Sequence, residues 1–332
     1  MRILVTGGAG FIGSHFVKRL LAGGEEVVVL DKLTYSGNLT NLAGCDIDLL
    51  EGDIADPATV ESAADGCDAI VNFAAETHVD RSILGAAEFI QTDVLGTYVL
   101  LERVSATGAR YVQVSTDEVY GDVEAGAASK EDDALVPSSP YSASKAGGDL
   151  QVLAAVRTFG ANASITRGSN TYGPNQYPEK VLPLFATNAL DGHPLPLYGD
   201  GRQVRDWLHV DDHCAAIELV LREAGAGEIY NVGAGEEHEN VELTQRIIEY
   251  TGADPSLVRH VADRAGHDRR YSLDTSKLRS LGWRPSRSWE DGIRETVEWY
   301  RDHRDWWEPI KRSGGYREYY ERQYAQRLST LG

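Results

Sequence analysis

The chain has 332 residues, enough for one large or two ordinary domains. Its 42% hydrophobic and 25% charged residues are the balance of a globular chain with a buried core, which excludes a disordered one. A formal charge of −19 excludes nucleic acid and anionic membrane as partners, since both need a basic face, but leaves room for a phosphorylated small molecule held by backbone N–H groups.

Ile3 to Thr6 reads as a buried strand, followed by Gly7-Gly8-Ala9-Gly10-Phe11-Ile12-Gly13 and a helical run from Ser14 to Leu21 that ends at Gly23-Gly24. Between a strand and a helix, G-x-x-G-x-x-G permits a tight turn and lets backbone approach a pyrophosphate lying on the helix N-terminus, with Phe11 and Ile12 inside the same cradle. Glu26 to Leu30 is a second strand, closed by Asp31. An acid there accepts hydrogen bonds from ribose hydroxyls and repels a 2′-phosphate, favouring NAD over NADP, although Lys32 beside it weakens the repulsion and a capping Asp would look the same. Leu49 to Asp53 is a short third strand whose end, Asp53-Ile54, meets the adenine. Ala69 to Phe73 is a fourth, where the small Ala74 and Ala75 let the cofactor lie close.

A long helix is expected over roughly Ala87 to Thr107 and a fifth strand from Tyr111 to Ser115, running into Thr116-Asp117-Glu118-Val119-Tyr120. Ligands of open α/β sheets bind at the carboxyl ends of strands, so two carboxyls there point to acid–base work. Consecutive side chains on an extended strand point apart, however, and the pair shares one ligand only if the chain turns. Read alone, it equally fits a solvated acidic turn.

Tyr141-Ser142-Ala143-Ser144-Lys145 opens the next helix and puts Tyr141 and Lys145 on one face. A nearby ammonium is expected to lower the phenol's pKa, so that a tyrosinate takes a hydroxyl proton as hydride leaves. Ala163 to Arg167 is a sixth strand. Proline and glycine then cluster from Pro174 to Gly201, which reads as a loop-rich segment rather than another βαβ unit. The helix Val210 to Arg222 and the strand Glu228 to Val232 return to the sheet, and Asn240 to Thr251 is an amphipathic helix of a second region. The expectation is an α/β fold: a doubly wound parallel sheet formed by residues 1–169 plus about 205–232, and a smaller C-terminal α/β domain formed by about 170–204 plus 233–332. Three widely spaced cysteines, Cys45, Cys67 and Cys214, fit a reduced cytoplasmic protein without a metal site. Met1 to Val5 runs straight into the glycine turn, leaving no room for a signal peptide, and no apolar run is long enough to span a membrane.

These residues resemble the extended short-chain dehydrogenase/reductases, the NAD-dependent epimerase/dehydratase family, and within them the dTDP-glucose 4,6-dehydratases. The likeness runs over nearly the whole chain: Gly7 to Gly13, Asp31 to Tyr35, His78 to Ser82, Thr116 to Gly121, Tyr141 to Lys145, Tyr172-Gly173-Pro174, Pro178-Glu179-Lys180, Arg205-Asp206-Trp207 and Gly266 to Tyr271. Thr-Asp-Glu is its specific part, because epimerases of the superfamily carry small residues at those acids.

The resemblance implies a Rossmann-type domain with tightly bound NAD, held also by Ser115, Tyr141 and Lys145. It further implies three steps on one nucleotide sugar. Tyr141 and NAD oxidise C4 while Thr116 holds the oxygen; Glu118 removes the C5 proton as Asp117 protonates the departing C6 hydroxyl; hydride returns to C6. Ser82, Asn170, Glu179, Lys180, Arg205, Asn231, Arg264 and His267 would surround the sugar and diphosphate, and Tyr198 would stack on the base. Taken singly, Glu179 equally fits a surface salt bridge and Tyr198 a core tyrosine. The resemblance also implies a homodimer through the helices after Ala87 and from Tyr141, with Leu95, Tyr98, Val99, Leu150, Val152 and Leu153 as candidate face residues. Gly168 and Thr171 depart from the pattern, which usually has cysteine and asparagine there. The alternative is a UDP-sugar 4,6- or 5,6-dehydratase, or a 4-epimerase, of the same superfamily. An NAD-sensing binding protein is a third reading, against which the retained Tyr141 and Lys145 stand.

Overall fold

The computed structural model describes residues 1–329. Among these, twelve strands form in chain order: β1 (Arg2–Thr6), β2 (Glu26–Asp31), β3 (Asp48–Glu51), β4 (Ala69–Asn72), β5 (Arg110–Thr116), β6 (Ala163–Gly168), β7 (Asn170–Tyr172), β8 (Leu195–Tyr198), β9 (Val204–His209), β10 (Ile229–Val232), β11 (Glu237–Glu239) and β12 (Val258–Val261). Seven of them make one parallel sheet in the order β10-β6-β5-β4-β1-β2-β3. The order reverses direction at β1, and the crevice beyond its carboxyl end is where such a sheet binds a ligand.

The sheet is apolar on both faces because helices cover both. Side chains alternate along β1. Ile3 and Val5 join Phe16, Val17 and Leu20 of the helix Phe11–Ala22, and Ile217 and Val220 of Val210–Glu223, on one face. Leu4 joins Leu100, Val104 and Val152 on the other. The helix Pro140–Phe159 starts on a reciprocal capping box between Ser139 and Ser142, with Pro140 in its first turn, and stops at Gly160 in the left-handed conformation. That cap fixes where Tyr141 and Lys145 stand.

A three-stranded sheet, β11-β9-β7, and a two-stranded one, β12-β8, pack with the helices Val181–Leu190, Asn240–Thr251, Trp289–Asp302 and Arg304–Arg312 around Phe185, Leu243, Ile247, Ile293, Tyr300 and Trp307.

Three expectations change. The loop-rich segment holds a ten-residue helix, Val181–Leu190: Pro183 falls in its first turn, where a missing N–H costs nothing, and Leu182, Phe185, Ala186 and Ala189 supply a buried stripe. β9 pairs with β7 and β11 in the small sheet, so the return to the large sheet begins at Val210. The helical stretch 87–107 carries a π-helical segment, Ile90–Gly96, and it leaves Leu95 and Tyr98 exposed while Val99, like Val152 opposite, is buried in the core.

Candidate active site

One cleft runs along the carboxyl ends of β1, β2, β4, β5 and β6. Its lining includes Gly7, Gly10, Phe11, Ile12, Gly13, Asp31, Lys32, Asp53, Ile54, Ala74 and Ala75 at one end. At the other end stand Ser115, Thr116, Asp117, Glu118, Tyr141, Lys145, Asn170, Glu179 and Lys180.

At the glycine end, Gly7 has φ +67°, and a Cβ on Gly13 would stand 2.2 Å from the Gly7 carbonyl oxygen, so the turn closes only without side chains. Gly10 precedes the helix with no side-chain cap, which leaves the first-turn N–H groups open to the cleft as donors for an anion. Asp31 accepts the N–H groups of Ala9 and Leu33 at 2.9 and 2.8 Å, and burial raises its pKa. Lys32 pairs with Asp53 at 2.9 Å, beside the acid that disfavours a 2′-phosphate.

At the other end the acids are brought together by a turn. The Thr116 hydroxyl accepts the Glu118 N–H at 3.3 Å and winds Asp117–Tyr120 into a single 3-10 turn, placing both carboxyls on the cleft. Their surroundings differ. Asp117 is buried and held well above the usual carboxylate range by desolvation and then by the charge of Glu118, against which Arg205 acts. Glu118 is also raised by burial, but Arg264, Arg205 and Lys180 all oppose that rise. Asp117 therefore keeps its proton more readily than Glu118.

The Tyr141 phenol lies well above its ordinary pKa because of burial and the charges of Glu118 and Asp93, against which the nearby Thr116 hydroxyl acts. The phenol is thus raised, where the spacing predicts it lowered. The Lys145 ammonium donates to the Val114 carbonyl oxygen at 2.8 Å.

Asp93 escaped the sequence reading, hidden as one polar residue inside a helix. The π-helical segment turns it inward, 1% exposed, with Oδ2 accepting the Ser144 hydroxyl at 2.6 Å and Oδ1 unpartnered. Burial lifts its pKa to about 7 against the pull of Lys145 and Ser144. A carboxyl raised on folding stabilises the fold below its unfolded pKa and loses that contribution as pH rises through the folded one. Asp93→Asn is thus expected to gain stability relative to the parent between pH 4 and pH 8, by about 4 kcal/mol at most. Thermal unfolding of both proteins at the two pH values checks it, and a pH-independent difference would count against a buried, titrating Asp93.

The remaining predicted ligand residues divide. Glu179 lines the cleft but is held at 2.8 Å by Arg81 and at 2.8 Å by the Tyr35 hydroxyl, Arg81 itself lying between the rings of Tyr35 and Tyr319. Ser82, Tyr198, Arg205, Asn231, Arg264 and His267 are outside the cleft lining. The Ser82 hydroxyl donates to the Val79 carbonyl oxygen, and the Asn231 amide donates to the Ser129 carbonyl oxygen and accepts from Tyr120. Tyr198 donates to Asp80 and lies against Tyr324. Arg205 bonds the carbonyl oxygens of Val204 and Asp268, while His267 bonds Asp263 at 2.6 Å. Arg264 lies 3.9 Å from Asp80 with a buried, unpartnered Nη1.

The sheet order, the glycine turn and the Tyr141–Lys145 helix define a dinucleotide-binding protein of the extended short-chain dehydrogenase/reductase type. A model of the GDP-mannose 4,6 dehydratase family matches residues 4–296. The chain is 54% identical over 323 residues to a dTDP-glucose 4,6-dehydratase of Streptomyces niveus, covering 94% of this chain and 96% of that one. Its fold superposes with TM-score 0.91 on a dTDP-glucose 4,6-dehydratase of Streptomyces venezuelae crystallised with NAD and a dTDP ligand, at 55% identity, covering 94% of this chain and all of that one. A Thermus thermophilus UDP-glucose 4-epimerase with NAD follows at TM-score 0.87 and 36% identity, covering 91% of this chain and all of that one. The chain belongs to the GDP-mannose 4,6 dehydratase family, among the dTDP-glucose 4,6-dehydratases.

Proposed function

We propose that this protein is a hydro-lyase that dehydrates dTDP-glucose to the 4-keto-6-deoxy nucleotide sugar with no net redox change, using NAD that it retains. The observation carrying this reading is the pair Asp117 and Glu118, neighbours in sequence but unequal in surroundings, on the same cleft as Thr116 and Tyr141. A 4-epimerase needs no such pair.

The uncapped helix at Gly10, the glycines and Asp31 fit the dinucleotide. When bound, NAD supplies the hydride acceptor for C4, the hydride donor for C6, and a positive charge near the phenol. Tyr141 takes the proton of the 4-hydroxyl, with Thr116 holding that oxygen and Lys145 fixing the strand end. The resulting ketone acidifies the C5 proton, which Glu118 removes. Asp117, the more strongly protonated of the two, gives its proton to the C6 hydroxyl, which leaves as water. Glu118 then returns its proton to C5, and the proton held by Tyr141 restores Asp117. Atoms balance with loss of one water.

We further assign residues 1–169 with about 210–232 to the cofactor-binding domain and the rest to the nucleotide-sugar domain, with Lys180, Asn170, Glu179, Arg205, Arg264 and His267 on the diphosphate and sugar, and Tyr198, together with Ser82 and Asn231 of the first domain, around them. A homodimer is supported by the exposed Ile83, Leu84, Ile90, Leu95, Tyr98 and Leu150 on adjoining helices. The unpaired Cys45, Cys67 and Cys214 fit a cytoplasmic enzyme. No helix among the described residues is long and apolar enough to cross a membrane.

Mass spectrometry after incubating the purified protein, without added NAD, with dTDP-glucose and UDP-glucose in parallel tests this reading. Loss of one water, faster with dTDP-glucose, is expected. An isomer of unchanged mass would instead mark an epimerase.

A further inference from the structure

The turn Asp117–Tyr120 is pinned at its entrance by the Thr116 hydroxyl. Its exit is pinned by a buried chain of polar groups that none of the reacting steps uses. Tyr120 ends the turn and is buried. Arg167 Nη1 lies 2.8 Å from the Tyr120 phenol oxygen and 3.2 Å from the Glu131 carbonyl oxygen, and the guanidinium carbon stands 4.8 Å from the centre of the Tyr120 ring. A guanidinium only donates, so the phenol oxygen accepts from Arg167, and its own hydrogen goes to Asn231 Oδ1 at 2.8 Å. The Asn231 amide nitrogen then donates to the Ser129 carbonyl oxygen at 2.9 Å. The chain has one direction, from Arg167 through Tyr120 to Asn231.

The same guanidinium reaches the helix of the redox pair. Arg167 Nε donates to Asp149 Oδ2 at 2.8 Å, and Asp149 stands about one turn beyond Lys145 on the helix Pro140–Phe159. The side chains of Arg167 and Asp149 are 2% and 0% exposed. Within the sheet, Arg167 pairs in register with Ser115, the residue before Thr116. One side chain of β6 thus joins the turn bearing Asp117 and Glu118 to the helix bearing Tyr141 and Lys145. Burying an ion pair costs desolvation that its attraction often only balances, so stability alone is a weak reason for this one. What the guanidinium adds is geometry: its donor nitrogens lie in one rigid plane, which fixes the separation of the groups they bond.

We infer that Arg167 and Tyr120 are positioning residues for the elimination, holding the acid pair at the distance from Tyr141 that lets all three side chains work on one sugar. This rests on the dehydratase reading above. Neither residue lines the cleft, so both act through Asp117 and Glu118. Oxidation at C4 uses Tyr141 and Thr116, which the helix and β5 hold without Tyr120. The elimination uses the two carboxyls that lie between Thr116 and Tyr120, and these are what a loosened exit would displace.

The test is stopped-flow absorbance of enzyme-bound NADH on mixing with dTDP-glucose, with water loss followed by mass spectrometry in the same reaction. Tyr120→Phe keeps the ring and deletes the hydroxyl. In this variant, bound NADH is expected to form at the parental rate and to be consumed about ten- to a hundredfold more slowly, with water loss slowed alike. Arg167→Lys keeps a charge facing Asp149 without the planar fork, and is expected to show the same split between the steps. The double variant should be little slower than either single one, because both break the same chain. Parental consumption of NADH by either variant that folds overturns the assignment, and so does additive slowing in the double variant. Equal slowing of oxidation and elimination overturns it in favour of a packing role, as does failure of both single variants to fold. A native protein that forms no bound NADH and removes no water from dTDP-glucose would instead overturn the dehydratase reading itself.

Discussion

Glu118→Gln is expected to leave oxidation at C4 intact and to stop the reaction there. The amide keeps the shape and the hydrogen-bonding reach of the side chain but cannot take a proton. Removing a positioned general base costs typically 10²–10⁴-fold, so dehydration should fall by about that factor while reduced cofactor accumulates on the enzyme. The readout is absorbance of enzyme-bound NADH on mixing with substrate, together with exchange of the C5 hydrogen in deuterated water. Rapid exchange in the variant would remove Glu118 from the role of base. Asp117→Asn separates the two acids: it should permit C5 exchange and still block loss of the hydroxyl, because Asp117, held protonated by burial and by Glu118, is the donor. Full turnover by Asp117→Asn would contradict that assignment.

Tyr141→Phe should act one step earlier and at least as strongly. The phenol lines the same cleft as Thr116 at the end of β5, the residue expected to hold the C4 oxygen. Loss of the hydroxyl should lower the rate of C4 oxidation by roughly 10³–10⁴-fold, with no burst of bound NADH and little change in nucleotide-sugar affinity. A Phe variant that still reduced its cofactor at the parental rate would show that the proton leaves by another route. Because the base must be unprotonated, activity is also expected to fall as pH is lowered through the pKa of Tyr141, which burial and the charges of Glu118 and Asp93 push up.

The parts legible in the sequence were those in which one local pattern dictates one conformation. Val27-Val28-Val29 and Ile3-Leu4-Val5 had to be strands covered on both faces. Gly13 had to lack a side chain because the Gly7 carbonyl stands where one would go. Helix and strand alternation then fixed the parallel sheet, and Asp31, Thr116, Tyr141 and Lys145 came to its carboxyl edge with it. What escaped depended on contacts between distant segments. The helix Val181–Leu190 was masked by Pro183, although its first turn tolerates the residue. The inward turn of Asp93 required a π-helical segment that no side-chain period announces. The bond from Lys145 to the Val114 carbonyl oxygen depends on how β5 approaches the helix, which the spacing of Tyr141 and Lys145 does not announce. Likewise, the fit of His213 against Gly168 joins β6 to a helix 45 residues onward, and neither residue is informative without the other.

The central claim is that one retained cofactor moves one hydride from C4 to C6 across an elimination managed by Asp117 and Glu118. Incubating the protein with dTDP-glucose carrying deuterium at C4, and locating the label in the product by mass spectrometry and NMR, tests that claim most directly. The expected product has lost one water and carries the deuterium on C6. A product that retains the full mass with deuterium at C4, or one that has lost water without deuterium at C6, would contradict it.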